Sequence, residues 1–213
     1  MMPSTELPGL VEGFFTKRLV AQRNVSANTI ASYRDTFRLL FAFAEQELHR
    51  APSQLNVALL NAELICSFLD GLECKRHNSV RTRNLRLAAI RSFFRYAAME
   101  VPEHAALIQR VLAIPPKRCD RKIVGFLTQS EVTAILAAVD QSSWCGRRDY
   151  AILLDTRQTG LRLAEVTGLR QKDVVLGPGA HVHCQGKGRK ERCTPLTRST
   201  AKVLKAWQSH RSD

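Results

Sequence analysis

The stretch TGLRLAEVTGL at residues 159–169 joins a turn to a helix start, and it decides how the second half of this 213-residue chain is interpreted. Arg162 opens the helix shortly after Gly160, so its guanidinium can project from the helix start. A guanidinium stays charged at any working pH and can donate to two phosphate oxygens at once. Glu165 lies three residues further along, on the same side of the helix, where it can orient Arg162. The stretch therefore predicts an arginine that binds phosphate and a carboxylate that supports it.

A second stretch, GKGRKER at residues 186–192, contains the turn of a predicted β-hairpin. The glycines on both sides of Lys187 let the turn be tight and let its backbone approach a phosphate. A lysine in such a turn can protonate a leaving sugar hydroxyl, which is general acid catalysis. Extended segments are predicted at 174–175, 180–185 and 193–196, and the turn of the hairpin is predicted at 186–190.

The first half of the chain has the hydrophobic period of helices. The apolar residues Ile30, Tyr33, Phe37 and Leu40 recur at steps of three and four and mark one face of a helix that begins after the N-cap residue Ser26. Further helices are predicted at 10–22, 63–72, 80–98 and 105–113. Together these segments indicate a small helical bundle.

Two consecutive prolines, Pro115 and Pro116, interrupt this helical pattern because proline cannot lie inside a helix. We therefore predict a helical domain at 1–113, a linker at 114–123 and a second domain at 124–213. The second domain opens with a capping box, Thr128 and Glu131. Its other helices are predicted at 147–158, at 162–168 and after the hairpin, ending near residue 209. The predicted fold class is mainly α with a small β-hairpin or sheet.

The charge of the chain is strongly positive. Its 32 Lys and Arg residues against 19 Asp and Glu residues give a net charge of +13, which indicates a polyanionic partner. No apolar run approaches the roughly 18 residues that a spanning helix needs, and the N-terminus lacks the pattern of a secretory signal. We therefore expect nucleic acid, and no membrane, as the partner.

The helix predicted at 80–98 carries much of this positive charge. Between Lys75 and Met99 there are seven basic residues and no acidic one. On a helical wheel the side chains of Arg81, Arg91 and Arg95 lie opposite the apolar stripe, so we expect these three to contact DNA. Arg83 and Arg86 lie closer to the stripe and can pack or pair internally. The alternative is an ordinary solvated helix face.

The six cysteines form no CxxC pair and are expected to be free thiols in a reducing cytoplasm. His181, His183, Cys184 and Cys193 are close in sequence and leave a metal site as an alternative. The spacing matches no known zinc site, and the two histidines alternate as strand residues do. We therefore expect neither a metal nor a cofactor.

Together the two stretches resemble the tyrosine recombinases, also called the phage integrase family, in which a TGLRxxE segment precedes a GKGxKxR hairpin. The resemblance spans nearly the whole chain. It implies an N-terminal helical core-binding domain, an α+β catalytic domain, and a role in site-specific recombination and integration of double-stranded DNA, as in mobile elements. It matches Arg162 to a catalytic arginine and Lys187 to the catalytic lysine. Lys190 and Arg192 match positions less directly tied to chemistry, and we expect them to contact DNA.

The family reaction also requires an HxxR segment and a nucleophilic tyrosine after the hairpin. The tyrosines of this chain are Tyr33, Tyr96 and Tyr150, all before Arg162, and no HxxR occurs. The sequence thus predicts a recombinase chain that is inactive alone and that is either an incomplete fragment or the product of a truncated gene. Relatives act as tetramers on DNA, and we expect this chain to be a monomer free in solution.

Two other functions compete with this interpretation. The first is a non-catalytic DNA-binding protein that occupies recombination sites. The second is a basic RNA-binding protein, which the charge alone supports.

Overall fold

The computed structural model of the chain describes residues 6–120, 125–186 and 190–211. The chain divides into two compact units, Met1–Lys122 (unit 1) and Ile123–Asp213 (unit 2). The predicted domain boundaries at 113 and 124 stay a prediction. Ile114, the first residue of the predicted linker, is buried in the core of unit 1. Among the described residues, no helix is both long and apolar enough to cross a membrane.

Unit 1 is a helical bundle, as predicted. Its α-helices are α1 (Leu7–Gly13), α2 (Ala27–Leu48), α3 (Ala62–Cys74), α4 (Val80–Glu100) and α5 (Ala105–Ala113). The α1 helix continues as a π-helical segment, Phe14–Gln22, and short 3₁₀ turns occupy Pro52–Gln54, Val57–Leu59 and Pro102–His104.

Side-chain caps set where the main helices of unit 1 begin. Ser26 accepts a hydrogen bond from the Thr29 backbone N–H at the start of α2, which confirms the predicted cap. Ser79 caps α4 in the same way through Thr82. Each cap satisfies one of the backbone donors that a helix start leaves unpaired.

The core of unit 1 is aromatic at its centre. Phe14 packs edge-on against Phe93 and Phe37, with ring centroids 5.5 Å and 6.1 Å away. All three rings are at most 3% exposed. This burial of large apolar side chains is the main stabilising contribution to the bundle.

Unit 2 combines short helices with a three-stranded antiparallel sheet. Its helices are α6 (Gln129–Ala137), α7 (Trp144–Thr159), α8 (Leu163–Gly168) and α9 (Arg198–Arg211), with a 3₁₀ turn at Gln171–Asp173. The strands are β1 (Val174–Val175), β2 (His181–Gln185) and β3 (Glu191–Pro195), in the order β1-β2-β3. The predicted capping box of Thr128 and Glu131 is present at α6. The predicted mainly α fold class with a small sheet is confirmed.

The β2–β3 hairpin positions the second sequence stretch. Gln185 pairs with Glu191, and Cys184 pairs with Arg192. The side chains of Val182 and Cys184 are buried on one face of the sheet, where they pack with Leu161 just before α8. This small core holds the start of α8 next to the hairpin.

Candidate phosphate-binding site

Arg162 lies at the N-cap position of α8, where its backbone is extended and not helical. Its backbone N–H donates to Glu165 Oε2 at 2.8 Å, and its Nη1 donates to Glu165 Oε1 at 3.0 Å. The Arg162 side chain is nevertheless 65% exposed. Glu165 thus fixes one edge of a guanidinium whose remaining surface is open to an anion.

Glu165 is the buried centre of this site, with a side chain only 4% exposed. The hydrogen bond from the Arg162 backbone N–H is the largest of the effects that lower the pKa of the Glu165 carboxyl. The guanidiniums of Arg162 and Arg192 lower it further, while burial opposes them. A carboxylate that accepts several charge-assisted hydrogen bonds stays ionised and is held firmly in place. The predicted orientation of Arg162 by Glu165 agrees with this geometry.

Arg192 has a contact that the sequence analysis missed. Its Nη2 donates to Glu165 Oε2 at 2.9 Å, although we expected the side chain to reach DNA. The Arg192 side chain is 39% exposed. The carboxylate of Glu165 therefore joins α8 to β3 through two arginines. The spacing of the sequence gives no sign of this contact, because 27 positions separate the two residues.

Gly186 closes the hairpin against the same carboxylate. Its backbone N–H donates to the Lys190 carbonyl at 2.7 Å. A Cβ at Gly186 would lie 2.9 Å from Glu165 Oε1 and 3.8 Å from Arg162 Nη1. Any other residue at position 186 would therefore force the Glu165 carboxylate to shift away from the hairpin backbone.

The predicted catalytic lysine, Lys187, lies outside the described residues. Lys190, at the other end of the turn, is described and exposed. The structure therefore brings together Arg162, Glu165 and Arg192, with Lys190 on the adjoining turn.

The tyrosines of the chain occupy other places. Tyr33 stacks on Phe14 with ring centroids 6.2 Å apart, and Tyr96 is 8% exposed in the same core of unit 1. Burial is the largest cause that raises the pKa of Tyr96, and Glu100 adds to it. Tyr150 lies on α7, on the helix that precedes Arg162. Two of the three tyrosines are thus structural residues of unit 1.

The basic helix α4 differs from its prediction at Arg91. Arg81 and Arg95 are exposed, as expected. Arg91 is only half-exposed, and its Nε and Nη2 donate to the Leu112 carbonyl at 3.0 Å and 2.6 Å, so its contact with DNA stays a prediction. This carbonyl lies at the C-terminal end of α5, where helices leave acceptors unpaired and favour a cation. The helical wheel could not show that α5 ends beside Arg91.

The remaining arginines of α4 pair internally, as the sequence indicated. Arg83 is 4% exposed and its Nη1 donates to the Pro115 carbonyl at 3.2 Å. Arg86 Nη2 lies 2.9 Å from Asp35 Oδ2. The Lys117 backbone N–H donates to the side chain of Asn84 on α4. The start of the predicted linker is therefore fastened to unit 1.

The histidines and cysteines of the sheet do not converge. His181 Nδ1 lies 2.8 Å from the Gly179 carbonyl oxygen, and Cys184 is buried while Cys193 is exposed. Within the described ranges, no group of three or more His, Cys, Asp or Glu residues could hold a metal ion.

Comparison with known proteins places both units in one family. The phage integrase N-terminal SAM-like domain matches residues 13–100, and the phage integrase family matches residues 125–213. A Sinorhizobium fredii protein named as an integrase/recombinase, y4rC, is 58% identical over 207 residues, covering 97% of this chain and 62% of the relative. A second such S. fredii protein, y4rD, is 42% identical over 201 residues, covering 94% of this chain and 72% of the relative.

A solved structure shares the fold. The XerH site-specific recombinase bound to a palindromic difH substrate has a TM-score of 0.62 and 22% identity, covering 98% of this chain and 58% of that chain. This chain thus spans less than two thirds of the length of y4rC and of XerH. The two matched domains and the y4rD relationship, which covers most of both proteins, establish the relationship that the two sequence stretches predicted. The chain belongs to the phage integrase, or tyrosine recombinase, family.

Proposed function

We propose that this protein acts in site-specific DNA recombination by binding duplex DNA and holding one backbone phosphate at Arg162. The observation that carries the proposal is the geometry of that arginine. Its side chain is 65% exposed, and its guanidinium is anchored by a buried carboxylate. A preorganised arginine of this kind binds phosphate oxygens with little loss of side-chain entropy.

The same geometry suits phosphoryl transfer. When a DNA phosphate is attacked, negative charge builds up on its oxygens, and a fixed guanidinium stabilises that charge without reorganising. By resemblance to the family, Lys187 donates a proton to the leaving sugar hydroxyl. Arg162 then supplies charge stabilisation, and Glu165 is the residue that positions it.

The rest of the DNA contact is assigned to exposed basic residues. Arg81 and Arg95 on α4 and Lys190 on the hairpin turn are exposed. The net charge of +13 supports binding to a polyanion. Each phosphate that these residues neutralise releases counterions, so affinity should fall steeply with salt. Because Arg91 is bound to Leu112, we do not include it among the contacts.

The 213-residue polypeptide is proposed to bind DNA without cleaving it. Tyr33 and Tyr96 are packed in the core of unit 1, away from the surface that an attacking hydroxyl needs to reach a DNA phosphate. We also propose that this polypeptide is a monomer in the absence of DNA and acts in the reducing cytoplasm, where its six free thiols are stable.

Binding and cleavage are tested separately. Fluorescence anisotropy compares duplex DNA with duplex RNA of the same sequence over a range of salt concentrations. The proposal expects DNA to bind more tightly and with a clear salt dependence; equal, salt-insensitive binding would contradict it. A nicked suicide DNA substrate on a denaturing gel then tests cleavage. A covalent protein–DNA adduct would show that the polypeptide is catalytic after all.

A further inference from the structure

The residues on both sides of Arg162 contact the β2–β3 hairpin at several points. Leu161 packs in the small core on the buried face of the sheet. The Glu165 carboxylate accepts a hydrogen bond from Arg192 on β3, near the turn of the hairpin. These contacts hold the centre and the turn end of the hairpin. They do not hold its base, where β2 begins and β3 ends.

Gln158 makes the contact at the base of the hairpin. It lies near the C-terminal end of α7, and its Nε2 donates to the carbonyl of Pro195, the last residue of β3, at 3.1 Å. Its Oε1 accepts from the Thr197 hydroxyl at 3.2 Å. Pro195 in turn pairs with His181, the first residue of β2. One amide side chain therefore binds the base of the hairpin through both its donor and its acceptor.

The base and the turn end of the hairpin are well separated. The residues of β3, Glu191–Pro195, rise roughly 3.4 Å each, so the strand ends are about 14 Å apart. Gln158 precedes Arg162 by four residues and Glu165 follows it by three. One short stretch thus presents the phosphate-binding guanidinium and binds both ends of the hairpin. A hairpin held only at its centre and turn end can tilt, and a tilt at its base moves its turn.

The chain that joins Gln158 to Arg162 is itself fixed by local contacts. Gly160 ends α7 in the left-handed region, with a φ of 61°, which glycine adopts without strain. The Thr159 hydroxyl donates to the carbonyl of Asp155, a buried residue of α7, at 2.6 Å, and it accepts from the backbone N–H two residues further on at 3.4 Å. A contact made by Gln158 therefore locates the hairpin relative to Arg162.

We propose that Gln158 is a positioning residue, which sets where the segment between β2 and β3 lies relative to Arg162. Lys190 and the predicted catalytic Lys187 belong to that segment. Groups that act on one phosphate must be held to within roughly 0.5 Å of their working geometry, which a hairpin free to tilt at its base does not meet. This inference rests on the proposed function, because it takes Arg162 and Lys190 to bind one DNA duplex.

Amide hydrogen exchange, measured by NMR, tests the positioning without DNA. The probe is the Gly186 backbone N–H, which donates to the Lys190 carbonyl at the turn end of the hairpin. Gln158→Leu removes both hydrogen bonds of the amide with a side chain of similar size. We expect exchange at Gly186 to become severalfold faster, while the capped Thr82 N–H of unit 1 exchanges as before. Unchanged exchange at Gly186 would overturn the proposal.

A double substitution then separates positioning from a general loss of structure. Lys190→Met alone should lower the log–log salt slope of duplex DNA binding by about 0.9. If Gln158 acts through the hairpin, Gln158→Leu should weaken binding severalfold, and Lys190→Met should then change the slope much less than it does in the unchanged chain. Full additivity of the two substitutions, in a double variant whose unit 2 is folded, would contradict the proposal.

The matched control makes the same change at another glutamine of unit 2. Gln129 on α6 is exposed, and its side chain forms a hydrogen bond within its own helix. Gln129→Leu should leave both the Gly186 exchange and the DNA affinity as they are. A response as large as that of Gln158→Leu would show that loss of any glutamine suffices, and the proposal would be wrong.

Gln158→Glu is the milder variant, used where Gln158→Leu does not fold. It keeps the acceptor for the Thr197 hydroxyl and loses the donor to the Pro195 carbonyl, so we expect a smaller increase of Gly186 exchange. No increase in either folded variant would overturn the proposal. If the unchanged chain does not bind duplex DNA, the proposed function is wrong, and the exchange data still decide whether Gln158 positions the hairpin.

Discussion

Arg192 Nη2 on β3 lies 2.9 Å from Oε2 of Glu165, the carboxylate that also accepts both hydrogen bonds from Arg162. Glu165, the carboxylate that orients Arg162, is therefore held from two directions, by the start of α8 and by the hairpin strand. Because the Glu165 side chain is 4% exposed, solvent does not compete strongly for these bonds.

Arg192→Met tests whether this arginine positions Glu165 or contacts DNA directly. If it positions Glu165, DNA affinity should fall by about tenfold or less, while the slope of log affinity against log salt stays unchanged. Fluorescence anisotropy at several salt concentrations measures both quantities. Lys190→Met is the comparison, since an exposed phosphate contact should lower the slope by about 0.9. A similar fall in slope for Arg192→Met would assign Arg192 to the DNA surface instead.

Gly186→Ala tests the contact between the hairpin and Glu165. The new methyl group would lie 2.9 Å from Glu165 Oε1, so the carboxylate and Arg162 must shift. We expect DNA affinity to fall severalfold. The control is Gly177→Ala, where nothing lies within 4 Å of the added Cβ. If both alanine variants bind DNA like the unchanged chain, the hairpin does not position Arg162.

The contacts that the sequence predicted are local, and those it missed join distant segments. The i,i+3 spacing of Arg162 and Glu165 and the Ser26 cap follow from helix geometry alone, and both are present. The contacts of Arg192 with Glu165 and of Arg91 with Leu112 depend on how separate elements pack, which periodicity does not encode. The burial of Asp155 was missed for the same reason, since a helical pattern does not show which face a neighbouring helix covers.

Arg91→Met should lower the stability of unit 1, whereas Arg81→Met should lower the affinity for DNA. Loss of the Arg91 guanidinium leaves the Leu112 carbonyl without its cation, so we expect unit 1 to lose about 1–2 kcal/mol of stability with little change in DNA affinity. Arg81 is exposed, and its removal should weaken DNA binding without changing stability. Urea denaturation followed by circular dichroism measures the stability. Loss of DNA affinity in a folded Arg91→Met variant would restore Arg91 to the DNA surface.

The lowered pKa of Glu165 predicts an acid-sensitive contribution to the stability of unit 2. The folded-state pKa lies below the ordinary value of 4.5, so this contribution is fully present above pH 4.5 and is lost as the pH falls through the folded value. Trp144 and Trp207 lie in unit 2, so tryptophan emission reports its urea midpoint.

Glu165→Gln isolates this effect from the other carboxylates. We expect the variant to be less stable than the unchanged chain at pH 7 and the gap to narrow below pH 4.5. A gap that is constant with pH would mean that ionisation of Glu165 does not hold the site together.

The salt dependence of duplex DNA binding by Arg162→Met, compared with the unchanged chain, tests the central claim most directly. If Arg162 holds a backbone phosphate, the variant should bind more weakly and its log–log salt slope should be smaller in magnitude by about 0.9, the value for one lost phosphate contact. A tryptophan-monitored melting curve confirms that unit 2 is folded in the variant. Unchanged affinity and an unchanged slope in the folded variant would contradict the assignment of Arg162 as the phosphate-binding arginine.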